Sequence, residues 1–152
     1  MNLTHLTRAG ALAAAALAIA LAGGCAGMGE VSSKVALSTQ LRGANEVPPV
    51  VTGGSGSVDA AFDKKTSLLR WKVNYTGLSG PATAAHFHGP AMVGANAGVA
   101  LGWTAPIQSP MEGSATLTPA QAADLLAGRW YANVHTAANP SGEIRGQMIV
   151  RN

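Results

Sequence analysis

The sequence predicts an all-β domain, an antiparallel Greek-key-like sandwich or barrel of about seven to eight strands with one short helix at about residues 118–127. Two observations indicate this class. From Val35 onward, apolar residues recur mostly at every second position, which is the period of a half-buried strand. Clusters of Gly, Pro, Asn and Ser separate these runs at short intervals, as turns do.

The clearest strand covers residues 69–75, where Leu, Trp, Val and Tyr alternate with Arg, Lys and Asn. Such alternation places the apolar side chains on one face and the charged ones on the other. The last two strands are expected to form a hairpin around residues 139–142, where Asn-Pro-Ser-Gly is a turn sequence. The other predicted strands cover residues 35–41, 58–62, 85–87, 114–117, 130–136 and 144–150.

One helix interrupts the strands. Thr118 is a good N-cap, Pro119 suits the first helical position, and Gln121 stands where a capping box needs it. Gly128 is a natural C-terminal stop. We interpret this helix as a structural connector.

The first 24 residues read as a signal peptide, with Arg8 in a polar start, an apolar run over residues 11–22, and small residues before Cys25. Because the run ends on a cysteine, it resembles a bacterial lipoprotein signal, which implies that Cys25 is lipidated and that residues 25–34 are a tether. A plain secretory signal is the alternative. The lipid would anchor the chain in the cell envelope, and since no Asp follows Cys25, the outer membrane is favoured, with the domain facing the periplasm or the surface.

Composition excludes several classes of function. The chain has a net charge of +3 and scattered basic residues, with one adjacent pair at residues 64–65, so we expect no nucleic-acid interface. It has a single cysteine and therefore no internal disulfide. Neither a Gly-x-Ser-x-Gly nucleophile motif nor a Walker-type phosphate loop is present. The sequence favours a non-enzymatic binding module.

The histidines are the candidate site. His86 and His88 lie two positions apart in a predicted strand, so they share one face with Cβ atoms about 6.5–7 Å apart. His135 lies in a second predicted strand. Three imidazoles suit copper or zinc. Alternatively, the rings are structural, donating to backbone carbonyls and accepting from nearby polar groups such as Asn133.

Three motifs occur in order along the chain: LRGANEVPPV at residues 41–50, AAHFHGPA at residues 84–91, and LLAG, YANVHT and PSGEIRGQ within residues 125–147. Together they resemble the CHRD domain, which is found in chordin and in bacterial secreted proteins. The resemblance implies that residues 35–152 form a β-rich extracytoplasmic domain. It implies no settled biochemical activity.

Four charged residues belong to these motifs, Arg42 and Glu46 to the first and Glu143 and Arg145 to the last. Opposite charges placed in this way suggest ion pairs between neighbouring strands that pin the loops. With Asn133, the same residues could instead orient a histidine through hydrogen bonds behind the metal. The structural role is favoured.

The sequence therefore predicts a membrane-anchored CHRD binding module that holds one copper or zinc ion through His86, His88 and His135. One alternative is a metal-free module for adhesion or protein–protein interaction, with an envelope or extracellular protein as its partner. A remoter alternative is a metal-dependent redox enzyme of the superoxide-dismutase type. Beyond the leader the chain has only three histidines, fewer than that enzyme needs.

Overall fold

The computed structural model of the protein describes residues 32–151, which contain nine strands, one α-helix and one short 3-10 turn. The all-β prediction is confirmed. The strands are β1 (Lys34–Arg42), β2 (Ser55–Asp63), β3 (Leu68–Thr76), β4 (Ala82–His88), β5 (Val99–Gly102), β6 (Met111–Thr116), β7 (Tyr131–Thr136), β8 (Ile144–Gln147) and β9 (Ile149–Val150). The helix α1 covers Pro119–Leu126 and the 3-10 turn covers Gly43–Asn45.

The strands form one antiparallel sheet in the order β5-β4-β7-β8-β1-β2-β3-β6, curled into a half-barrel, and β9 pairs with β1. The predicted hairpin is present, because β7 and β8 are antiparallel neighbours joined by residues 137–143. The predicted strand 144–150 is two strands in the structure. The chain breaks at Met148, whose side chain is buried and whose N–H donates to the Trp130 carbonyl. Strand β5 was not predicted.

Alternation along β4, β7 and β8 gives this part of the sheet two different faces. One face carries Phe87, Val134 and Ile144, all buried in the hydrophobic core. Phe87 packs edge-on against Trp71 and Trp103, with ring centroids 5.4 and 4.9 Å away. The opposite face carries the polar side chains of the same strands, among them His86, His88, Tyr131, Asn133, His135 and Arg145.

The helix begins and ends as predicted. Thr118 accepts a hydrogen bond from the Gln121 N–H at 3.2 Å, and the Gln121 side chain accepts from the Thr118 N–H at 2.9 Å, which completes a capping box. Gln121 also donates to the Ala100 carbonyl of β5 at 3.0 Å, and Leu125 is buried in the core. The helix therefore packs against the core and is joined to β5.

The predictions for the signal peptide, for the lipidation of Cys25 and for most of the tether lie outside the described residues. Between residues 32 and 151, no helix has the length and apolar character needed to cross a membrane.

Candidate metal centre

The three histidines of the domain converge on the polar face of β4 and β7. His86 pairs with Asn133 in the register of these strands and Ala84 pairs with His135, so His135 lies diagonally across from His86. One ligand nitrogen from each of the three rings lies within 4.8 Å of the others. The predicted convergence of the rings is confirmed, whereas metal binding stays a prediction.

Two of the rings are held by backbone carbonyls. The Nδ1 atoms of His88 and His135 lie 3.0 Å from the carbonyl oxygens of Ala97 and Pro140. Because a carbonyl only accepts hydrogen bonds, each of these Nδ1 atoms carries the proton, and in the neutral ring the lone pair is on Nε2. Such a hydrogen bond behind the ligating nitrogen is usual for histidines that bind metals.

Two of the remaining nitrogens bond to each other, and a third has no partner among the described residues. His86 Nδ1 lies 3.0 Å from His135 Nε2, so in the metal-free cluster the His86 ring donates to His135. His88 Nε2 is buried, and nothing within residues 32–151 hydrogen bonds to it. A buried acceptor with no partner is costly, and a metal ion is one way to satisfy it.

The electrostatics of the cluster favour neutral rings. Burial lowers the pKa of His86, and the neighbouring rings of His135 and His88 lower it further. Burial also lowers the pKa of His135, although the hydrogen bond to Pro140 opposes this shift. Neutral imidazole is the form that binds a metal, so these rings need to lose few protons at neutral pH.

A transition metal would require the ligand nitrogens to move from their present spacing. Bonds of about 2.0–2.1 Å at tetrahedral angles put the ligand nitrogens about 3.3–3.5 Å apart. The His86–His135 separation of 3.0 Å must widen slightly, and the widest separation, up to 4.8 Å, must contract. Nitrogen-only donor sets suit copper and zinc, so the residues present fit either ion.

Tyr131 and Arg145 complete the layer beside His88. The His88 ring stacks on Tyr131 with centroids 4.8 Å apart and 3° between the ring planes. The Arg145 guanidinium carbon lies 3.4 Å from the centre of the same tyrosine ring. Arg145 donates to the side chain of Asn96 at 2.8 Å and to the Ala95 carbonyl at 2.6 Å.

Glu143 does not form the ion pair that the sequence suggested. Its carboxylate is fully buried and accepts from the hydroxyls of Thr52 (2.6 Å), Ser79 (2.5 Å) and Thr136 (2.6 Å), and from the Ser79 N–H (2.8 Å). Burial alone would raise the pKa of Glu143, but these four hydrogen bonds outweigh it and lower the pKa to about 2. Neutral donors, rather than an arginine, stabilise this charge.

Glu46, rather than Glu143, is the acidic group whose pKa the charge of Arg145 affects. Burial raises the pKa of Glu46 to about 7, against the charge of Arg145 and a hydrogen bond from Asn133. Gly142, with φ of +127°, lies against Glu46 and Asn133, and a Cβ there would collide with the Glu46 carboxylate and the Asn133 amide. Arg42 is exposed, and the strand register places Arg145, a like charge, opposite it rather than a carboxylate.

The partners of His88 and Arg145 were not predicted from the sequence. Tyr131 could have been placed on the histidine face, since it alternates with Asn133 and His135. Segment 95–97, which contacts both Arg145 and His88, has no sequence signal beyond its small residues.

The histidine pair and both charged motifs lie inside one recognisable region of the chain. The CHRD domain family matches residues 37–148. The chain belongs to the CHRD domain family. No curated protein and no solved structure matches it.

Proposed function

We propose that this CHRD domain binds one copper or zinc ion through His86, His88 and His135. The observation that carries the proposal is the orientation of two rings. His88 and His135 each donate a hydrogen bond from Nδ1 to a backbone carbonyl, which leaves Nε2 as the ligand atom. The lowered pKa values of His86 and His135 support it further.

A bound ion would take the place of the proton between His86 and His135, and that proton would move to Nε2 of His86, which keeps the ring neutral. In the metal-free cluster that proton holds the two rings together. A cation held by both nitrogens would do the same and would also take up the lone pair of His88 Nε2. Three imidazoles would leave a fourth coordination position on the ion. Such an ion would supply a site for water or another small ligand.

Titration of the protein, purified without a histidine tag and treated with a chelator, tests the proposal. We expect isothermal titration calorimetry to show one Zn²⁺ or Cu²⁺ per chain. Each of the variants H86A, H88A and H135A should weaken binding by at least about tenfold, since losing even an outer partner of a ligand has that effect. Thr83→Ala, at an exposed position of the same strand, is the matched control and should bind as the wild type does.

Equal affinity in the wild type and all three histidine variants would overturn the proposal. A wild-type protein that binds neither ion would also overturn it, and would favour the metal-free interaction module. The His86–His135 hydrogen bond is the observation compatible with that alternative, because it satisfies both nitrogens without an ion.

We also propose that the domain works outside the cytoplasm on a lipid anchor at Cys25. The support is the sequence of residues 1–25, with its charged start, its apolar run and its terminal cysteine. The wild-type protein should sediment with membranes and carry lipid on Cys25 by mass spectrometry, whereas C25A should not. Equal fractionation of both proteins, with an unmodified Cys25, would contradict the anchor.

A further inference from the structure

We propose that Arg145 and Tyr131 are positioning residues for the histidine cluster. Through segment 95–97 they hold the His88 ring in its Nδ1-protonated form, with Nε2 left free for a metal. The consequence for metal affinity rests on the proposed function, whereas the consequence for the ring itself does not.

The first step is the attachment of the segment to Arg145. This side chain is 2% exposed and reaches from β8 to donate to the Ala95 carbonyl and to the Asn96 side chain, at 2.6 and 2.8 Å. Asn96 in turn donates to the Val47 carbonyl at 2.9 Å. A planar guanidinium supplies two donors in a fixed geometry, so it fixes the position of a backbone segment in a way that an ammonium group cannot.

The second step is the attachment to Tyr131. Its hydroxyl accepts from the Ala97 N–H at 3.2 Å and donates to the Ala97 carbonyl at 3.3 Å. The same carbonyl accepts from His88 Nδ1 at 3.0 Å. Tyr131 therefore holds Ala97 in the position at which the Ala97 carbonyl accepts the hydrogen bond from His88.

The third step is the stack. Strand β7 lies between β4 and β8, so the Tyr131 ring has His88 on its β4 side and Arg145 on its β8 side. The stack limits rotation of the imidazole, while the Ala97 carbonyl selects which nitrogen is protonated. Burying a guanidinium is costly unless its donors are used, and here they hold the segment that orients the metal ligand.

Nuclear magnetic resonance of the metal-free protein tests the positioning directly. Long-range ¹H–¹⁵N correlation of the imidazoles reports which ring nitrogen is protonated. In the wild type, His88 and His135 should both be Nδ1-protonated. Y131F keeps the aromatic ring but loses the hydroxyl, and R145K keeps the charge but loses the paired donors. In both variants His88 should show a mixture of tautomers, while His135, which is held by Pro140, should stay unchanged.

Zinc titration of the same variants gives the second readout. Y131F and R145K should lower zinc affinity by about 10–100-fold, as losses behind a metal ligand do. Gln147→Ala is the matched control, because the Gln147 side chain on the same strand donates to the Ala91 and Gly128 carbonyls and not to segment 95–97. That variant should leave both the His88 tautomer and the zinc affinity as in the wild type.

Folded Y131F and R145K proteins with an unchanged His88 tautomer would overturn the inference. If R145K does not fold, Asn96→Ala decides instead, since it removes one acceptor of Arg145 at an exposed residue. A wild type that binds neither zinc nor copper would overturn the proposed function, while the tautomer measurement would still decide the positioning role.

Discussion

Replacement of Glu143 by glutamine should strongly destabilise the domain. The carboxylate is fully buried and accepts four hydrogen bonds from residues 52, 79 and 136. An amide of the same shape keeps one oxygen acceptor but turns an NH2 group toward donors that need an acceptor. Two of the four donors therefore lose their partner.

The size of the effect follows from these contacts. A buried donor left without an acceptor costs about 1–3 kcal/mol, and hydroxyls recover part of this by rotating to accept from the amide. We expect the E143Q free energy of unfolding to fall by about 2–4 kcal/mol. For a domain of this size the melting temperature should fall by about 10–20 °C.

The pH dependence gives the prediction a second test. The folded pKa of Glu143, about 2, is below the ordinary value of 4.5. Its contribution to stability is therefore fully present above pH 4.5 and is lost as the pH falls toward 2. Because glutamine does not titrate, the difference in stability between the two proteins should narrow across that window.

Urea unfolding followed by tryptophan fluorescence at pH 7, 5 and 3 measures both effects. Gln40→Ala, at an exposed position of β1, is a control for substitution in general. If E143Q unfolds within about 0.5 kcal/mol of the wild type at pH 7, the range of an ordinary surface substitution, the four hydrogen bonds do not stabilise the domain as described. A difference that stays constant down to pH 3 would refute the assigned role of the charge.

Three further predictions concern zinc binding, the buried Glu46 and the core residue Phe87. Because burial lowers the pKa of His86 and His135, zinc affinity should persist below pH 6.5, and a calorimetric titration series that shows it lost at or above pH 6.5 would contradict this. The pKa of Glu46 is raised to about 7, so its protonated side chain stabilises the folded state at low pH, and this stabilisation is lost as the pH rises through 7. E46Q should therefore be more stable than the wild type at pH 8 and equally stable at pH 4.5. Equal urea midpoints at pH 8 would contradict this. Phe87→Ala, in the core behind the histidines, should lower the free energy of unfolding by about 3–5 kcal/mol in urea denaturation, and a loss below 1 kcal/mol would mean that Phe87 is not packed as described.

Much of the fold could be predicted because strand alternation and helix capping depend on residues that are close together in the sequence. Alternation in residues 69–75 gave β3, and the Thr118–Gln121 capping box gave the start of the helix. The same period of two placed His86 and His88 on one face. Strand β5 was missed because Val99–Gly102 is short and lies beside glycine and small residues, so it has no clear period.

The remainder depends on contacts between distant parts of the chain. That β4 lies next to β7, and so brings His135 to His86, follows from the strand order and not from any local pattern. Glu143 looks like half of an ion pair in the sequence, yet its donors at Thr52 and Ser79 are 91 and 64 residues away. Only the folded sheet shows that these hydroxyls satisfy the charge.

The most direct test of the metal centre is the X-ray absorption spectrum of the zinc-loaded protein. We expect a nitrogen shell at about 2.0–2.1 Å with the multiple scattering of imidazole rings, and its loss in the H86A/H88A/H135A triple variant. A spectrum of oxygen ligands without imidazole scattering, or one that the triple variant leaves unchanged, would contradict it.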